Sequence, residues 1–122
     1  MKLGHDPELQ SFREKIRSYF QKNYPQDILA KTASGASLTT AEVRRAEMAL
    51  GERSWLASAW PEEYGGPGWS IEEQYIFDEE LEKAGAPTVT PMGVIYVGPV
   101  VYTFGSDEQK AQWLPGLRDG SV

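Results

Sequence analysis

Cysteine is absent from the 122 residues, and the single histidine is His5, close to the start of the chain. Without thiols the chain can form no disulfide, no zinc–thiolate site and no cysteine nucleophile. One histidine beside a terminus offers no basis for a histidine metal site or for Ser-His-Asp catalysis. We therefore predict no metal site and no catalytic residue of these kinds.

Basic residues are also scarce, with 12 Lys and Arg against 18 Asp and Glu and a net charge of −6. Nucleic acids and anionic membrane surfaces bind clustered Lys and Arg, so both are excluded as expected partners. Residues 1–6 lack the apolar core of a signal peptide, which makes the cytoplasm the expected compartment. The content of 40% hydrophobic and 25% charged residues is typical of a globular protein. We expect one domain over residues 1–122.

Residues 88–105 carry no charge, and the rest of the chain is organised around them. Thr90 can cap a helix, Pro91 suits its first turn, and Gly105 suits a left-handed end. Apolar residues fall on every side of this helix rather than on one stripe. Such a pattern predicts a central helix that is buried all round.

Two other readings of the same stretch are a membrane span and a buried strand. A span needs roughly 20 apolar residues, and this stretch is shorter and holds two prolines and several glycines. Pro99 disfavours a central strand because it cannot donate a ladder hydrogen bond. In a helix Pro99 predicts a kink, and Gly93 and Gly98 beside it would leave space next to the backbone for a ligand.

Helix-start signals recur along the remainder of the chain. Asp6 precedes Pro7 and an amphipathic pattern that ends before Pro25, and residues 39–42, 70–73 and 106–109 each match a capping box. Residues 26–38 and the aromatic, glycine-rich residues 54–69 read as loops, with Glu62 and Glu63 as a solvated pair. The fold prediction is all-α: a small orthogonal or up-and-down bundle of about five helices around the buried central helix.

Several short motifs occur in a specific order over residues 50–120. They are WPEEYGGPG at 60–68, EEL at 79–81, GP at 98–99, FGSDEQK at 104–110 and LP at 114–115. In this order and spacing the chain resembles the N-terminal domain of flavin-dependent acyl-CoA dehydrogenases. The resemblance implies an all-helical domain that precedes a β-rich middle domain and a C-terminal helical domain, neither of which we find in this chain.

The resemblance also implies a function for the whole enzyme. Such enzymes hold FAD and oxidise an acyl-CoA thioester between its α and β carbons, using a glutamate base and flavin contacts that lie mostly in the later domains. We therefore assign no catalytic and no cofactor-binding residue to this chain, and expect it to be inactive and free of FAD by itself. Its expected contribution is one wall of the acyl-chain pocket, lined by Pro91, Met92, Gly93 and Tyr96.

A different class of function is kept beside this one. The chain could be a free-standing, non-catalytic helical module or subunit that pairs with a partner chain. Either function would leave an apolar patch where another domain or chain docks, so we expect self-association or a homo- or hetero-oligomer.

Overall fold

In the computed structural model, residues 6–88 and 92–121 are described, without the side chains of residues 92 and 93. This part of the chain forms helices and no strand, which confirms the all-α prediction. Six α-helices are present in it, together with a short 3₁₀-helix and a π-helix. The α-helices are α1 Pro7–Lys22, α2 Gln26–Ala33, α3 Thr40–Glu52, α4 Ile71–Ala84, α5 Gly98–Phe104 and α6 Asp107–Asp119; the 3₁₀-helix is Glu62–Tyr64 and the π-helix is Met92–Val97.

The predicted helix starts are confirmed by their hydrogen bonds. Asp6 accepts from the backbone N–H of Glu8 at 2.9 Å at the start of α1. At the start of α4, Ser70 Oγ accepts from the N–H of Glu73 at 3.1 Å, and the Glu73 side chain accepts from the N–H of Ser70 at 3.0 Å. The same reciprocal pair of bonds occurs at residues 39–42 and 106–109. Each box satisfies N–H groups that a helix leaves without partners.

The chain divides into two compact units. The first comprises the described residues up to Ala46 together with Trp69–Thr88. Its core is formed where α1 packs against α4, and Phe20 of α1 lies 6.1 Å from the Phe77 ring of α4. Trp69 contacts both Phe12 and Phe77 at about ring-packing distance, with centroids 5.1 and 5.0 Å away. This unit therefore has an aromatic core of its own.

The second unit comprises Glu47–Gly68 and the described residues from 92 onward. The π-helix, α5 and α6 pack against one another in it. Its buried side chains come from the end of α3, from the loop that follows, from the π-helix and from α6. They include Leu50, Trp55, Leu56, Trp60 and Leu114. This unit carries the apolar stretch that the sequence analysis singled out.

Helix α2 contradicts the prediction of a loop over residues 26–38. The Gln26 side chain donates to the carbonyls of Phe20 and Tyr24, each at 2.8 Å, and so fastens the start of α2 to the end of α1. Thr32 donates to the Gly85 carbonyl at 2.8 Å near the other end. The helix has only eight residues, of which Ile28 alone is buried. One buried position produces no periodic pattern for sequence reasoning to detect.

The apolar stretch is helical over residues 92–104, as predicted, whereas Thr90 and Pro91, the predicted helix start, lie outside the described residues. The prediction that the stretch is buried on every side is wrong. Val94 and Gly98 are buried, whereas Ile95, Tyr96, Val97, Val100 and Phe104 are exposed. The reason is that other elements of the second unit cover only one side of it. One further detail differs from prediction, since Gly105 is extended rather than left-handed. Helix α6 continues through Pro115.

Candidate functional site

The structure describes the four residues predicted to line a pocket to different extents. Pro91 lies outside the described residues. Met92 and Gly93 belong to the π-helix, but their side chains lie outside the description. Tyr96 is on the same π-helix, and 59% of it is exposed. The lining role of the set thus stays a prediction, and Tyr96 is the member whose surroundings can be described.

Tyr96 belongs to a larger exposed surface, which we call the apolar face. It consists of Ile95, Tyr96 and Val97 of the π-helix with Val100 and Phe104 of α5. None of its residues is charged, and 83% of Phe104 is exposed. A soluble protein rarely leaves such residues together in water unless they bind a ligand, another domain or another chain.

Trp60 supports this helical segment from its buried side. Its indole Nε1–H donates to the carbonyl of Val94 at 2.7 Å, and both residues are buried. The ring lies so close to Gly98 that a Cβ atom there would collide with it. The edge of the ring also meets Tyr102, with centroids 5.6 Å apart and planes at 74°. Trp60 therefore touches three successive turns of one side of the segment.

The loop that carries Trp60 is held by aromatic and cationic contacts. Tyr64 stacks on Tyr102 with centroids 4.6 Å apart and planes at 10°. Lys110 of α6 places its Nζ 5.4 Å from the centre of the Tyr64 ring. Gly65 takes the left-handed conformation, with φ of 90°, and a side chain there would collide with Arg118. These contacts anchor the loop, and Glu62 and Glu63 are exposed as expected.

Sequence reasoning did not find the role of Trp60. The signals that could have found it are the aromatic residues in the loop and the glycine at position 98. A glycine in an apolar helix allows another group to approach the backbone closely. The sequence does not say which of four tryptophans makes that approach, because the contact joins residues that are 38 positions apart along the chain.

Glu80 of α4 is the centre of a charged cluster in the first unit. It is 3% exposed and accepts from Arg17 at 2.8 and 3.0 Å and from Arg13 at 2.7 Å. The hydrogen bonds from Arg17 lower the pKa of the Glu80 carboxyl; burial acts against them and Arg13 adds to them. A carboxylate held ionised by two arginines is a poor proton acceptor at neutral pH. We therefore interpret this cluster as structural.

Two further searches of the molecule bear on the type of site. Within residues 6–88 and 92–121, no three His, Cys, Asp or Glu side chains are grouped so that they could hold a metal ion. Among the helices of that same part, none combines the length and hydropathy needed to cross a bilayer.

Comparison with known proteins gives a consistent result. Residues 6–121 match the sequence profile described as "Acyl-CoA dehydrogenase, N-terminal domain". The chain is 35% identical over 124 residues to acyl-CoA dehydrogenase FadE26 of Mycobacterium tuberculosis, an alignment covering 100% of this chain and 31% of that protein. It is 32% identical over 122 residues to acyl-CoA dehydrogenase IpdE1 of Mycolicibacterium smegmatis, covering 92% of this chain and 30% of the relative.

Solved structures give the same match. The chain resembles a chain of the ChsE4-ChsE5 complex from Mycobacterium tuberculosis with a TM-score of 0.78 and 33% identity, covering all of this chain and 30% of the other. It resembles a chain of the Tcur3481-Tcur3483 steroid ACAD with a TM-score of 0.79 and 35% identity, covering 100% of this chain and 31% of that one. The chain thus spans about a third of the length of these relatives.

Proposed function

We propose, from the premise that this chain belongs to the acyl-CoA dehydrogenase family, that it acts as the N-terminal domain of an FAD-dependent acyl-CoA dehydrogenase. In that enzyme the apolar face, together with Pro91, Met92 and Gly93, forms one wall of the acyl-chain pocket. The observation that carries the proposal is the exposure of five uncharged, mostly large side chains on one helical segment of this domain. Pockets for apolar ligands are lined by such side chains.

The reaction is the oxidation of the bond between the α and β carbons of an acyl-CoA thioester. A base removes the α proton, and the β carbon loses a hydride, which FAD accepts when bound. The chain spans only 30–31% of the relatives' length, and we assign the base and the flavin contacts to the remaining domains. The role of this chain is to bind the acyl group and to keep water away from the reacting carbons.

The described residues offer no evidence of a flavin site. Every buried side-chain nitrogen and oxygen in this part of the chain already has a hydrogen-bond partner. No buried polar side chain there is left without a partner that a cofactor could provide. We therefore assign none of these residues to FAD, and expect the chain by itself to bind no flavin and to have no dehydrogenase activity. We place it in the cytoplasm.

The partner proposal follows from the solved relatives. Both are complexes of two named chains, ChsE4 with ChsE5 and Tcur3481 with Tcur3483. We propose that the enzyme containing this domain likewise assembles with itself or with a second, related chain. Because the Tcur3481-Tcur3483 protein is a steroid ACAD, an acyl-CoA with a fused-ring acyl group belongs among the substrates to be tried.

The test of the proposed function is a domain replacement. This chain is fused to the middle and C-terminal domains of FadE26, in place of the equivalent N-terminal domain, and any partner chain that enzyme requires is supplied. Flavin content and dehydrogenation of straight-chain, branched and fused-ring acyl-CoAs are then measured. We expect a yellow fusion that reduces its flavin on adding at least one of these thioesters.

Two outcomes would contradict the proposal. One is a fusion that folds and binds FAD but oxidises no thioester that the parent enzyme oxidises. That result would favour the non-catalytic module. The other is a yellow preparation of the 122-residue chain alone, which would place flavin contacts within these residues.

A further inference from the structure

The π-helical winding of Met92–Val97 has a consequence for one carbonyl group. In a π-helix the carbonyl of residue i accepts from the N–H of residue i+5. For Val94 the residue five positions on is Pro99, which has no N–H. The carbonyl of Val94 therefore cannot accept the i+5 bond of the π-helical pattern, and Val94 is buried, where water cannot readily replace that bond.

Trp60 supplies a hydrogen-bond donor to this carbonyl. Its Nε1–H lies 2.7 Å from the Val94 carbonyl oxygen, a good hydrogen-bond distance. The same ring packs against Gly98 and against Tyr102, which lie four and eight positions beyond Val94. These three positions share one side of the helical segment, since neighbours four apart stack one above the other.

We propose that Trp60 is a positioning residue for the acyl-chain pocket. Trp60 supplies the hydrogen-bond donor that Pro99 lacks, and its ring packs against the side of the helical segment formed by Val94, Gly98 and Tyr102. These contacts fix the rotation of the segment about its own axis. That rotation determines which side chains, Tyr96 first among them, are presented on the apolar face. The inference rests on the proposed function, because the apolar face matters to catalysis only if it contacts the acyl group.

The main experiment is amide hydrogen exchange, followed by NMR, on the 122-residue chain. Trp60→Phe keeps an aromatic ring but removes the donor. We expect the amides of residues 96–98, 100 and 101 to exchange about ten-fold faster, because a buried carbonyl loses its partner. The amides of α4 in the other unit should be unchanged. Trp69→Phe is the matched control; it also removes an indole but should leave residues 96–101 unaffected.

A double-mutant cycle separates the hydrogen bond from simple ring packing. Pro99→Ala adds a backbone N–H at the position from which a π-helix donates to the Val94 carbonyl. In that background Trp60→Phe should raise the exchange rates less than about three-fold. Pro115→Ala adds an N–H to α6 instead, and should leave the full ten-fold effect of Trp60→Phe. Equal effects of Trp60→Phe in all three backgrounds would overturn the proposed bond.

The unmodified chain provides a second measurement in case Trp60→Phe does not fold. The indole N–H of Trp60 should be strongly protected from exchange, whereas that of Trp113, which is 45% exposed, should exchange rapidly. Similar fast exchange of both indoles would overturn the inference.

Substrate selection in the FadE26 fusion tests the positioning role. Trp60→Phe should raise KM for the bulkiest accepted acyl-CoA about five-fold and change kcat less than two-fold, since binding of the acyl group is disturbed and the chemistry is not. Tyr96→Ala serves as the reference. If it alters selectivity and Trp60→Phe does not, the positioning role is wrong and the proposed function stands. If neither alters selectivity while local exchange still rises, the proposed function fails instead, and the role of Trp60 in the pocket with it.

Discussion

At the scale of single residues, the charged cluster of the first unit decides the response to mutation and acid. Glu80 is 3% exposed and is bonded by Arg13 and Arg17, which are 15% and 48% exposed at their side chains. Removing one member of a buried ion pair leaves the others without compensation, and is more damaging than losing a surface pair.

Glu80→Gln should lower the free energy of unfolding by about 2 kcal/mol, the loss expected for hydrogen bonds to charged groups. The substitution preserves side-chain shape, removes the charge and replaces one acceptor oxygen by an NH2 group that cannot accept from an arginine. Urea denaturation followed by circular dichroism measures it. Glu79→Gln is the matched control; Glu79 is bonded to Arg13 but is 31% exposed, and should cost clearly less. An equal loss from the two variants would show that burial of Glu80 is unimportant.

The comparison of wild type with Glu80→Gln also predicts how the stability difference between them depends on pH. Arg17 first, and Arg13 in addition, lower the pKa of the Glu80 carboxyl in the folded chain, against the opposing effect of burial. A depressed carboxyl pKa stabilises the fold above the unfolded pKa, and this stability is lost as pH falls through the folded pKa. The stability difference between wild type and Glu80→Gln should therefore be constant above about pH 5 and shrink below about pH 4. A difference that grows on acidification would contradict this sign.

Glu42 gives a second, directly measurable titration. A hydrogen bond from Lys31 at 2.7 Å, and then one from the backbone N–H of Thr39, lower the pKa of Glu42 to about 2. The carboxyl carbon shift of Glu42 in an NMR titration should show this midpoint. Lys31→Gln should raise the pKa toward its ordinary range while the capping bonds to Thr39 remain. An unchanged pKa in the variant would mean that Lys31 is not the main cause.

At the scale of elements, the helix starts were predictable because a cap is a local device. Ser70 and Ser106 bond residues three positions away, so the necessary residues stand next to one another in the sequence. Helix α2 was missed because its supports, Gln26 to α1 and Thr32 to Gly85, depend on tertiary contacts. The contact of Trp60 with the Val94 carbonyl could likewise not be predicted, because it joins residues that lie far apart in the sequence.

The caps give a matched test. Ser70→Ala and Ser106→Ala should each lower the free energy of unfolding by about 1 kcal/mol, because each removes an acceptor for an N–H in the first helical turn. Thermal or urea denaturation measures the loss. Ser18→Ala, inside α1, is the control; alanine has the higher helix propensity, so stability should be unchanged or slightly higher. A loss from Ser18→Ala equal to that from the caps would refute the capping explanation.

At the scale of the whole molecule, the all-α class could be predicted from the sequence, but the exposure of the central segment could not. The distribution of apolar residues around a helix indicates how much of its surface must be covered. It does not indicate whether the covering groups come from the same domain, from another domain or from another chain. In this chain the side facing Trp60 is covered and the apolar face is not. The burial of the central segment was therefore predicted wrongly, while the pocket-lining role of its residues stays a prediction.

The uncovered apolar face predicts self-association of the isolated chain. Sedimentation velocity over a range of concentrations should show species larger than a monomer. Phe104→Ser should weaken this association about ten-fold, because few residues dominate the energy of an interface. Ile71→Ser is the control, since Ile71 is 76% exposed but belongs to the first unit. Equal weakening by both variants would mean that association does not depend on the apolar face.

The central claim is that the apolar face contacts the acyl group of a thioester in a dehydrogenase. It is tested most directly by the ratio of kcat/KM for the bulkiest and the smallest accepted acyl-CoA, measured in the FadE26 fusion with and without Tyr96→Ala. We predict that the substitution changes this ratio about ten-fold while flavin content stays the same. A ratio that is unchanged, in a fusion that is folded, yellow and active, would contradict the claim.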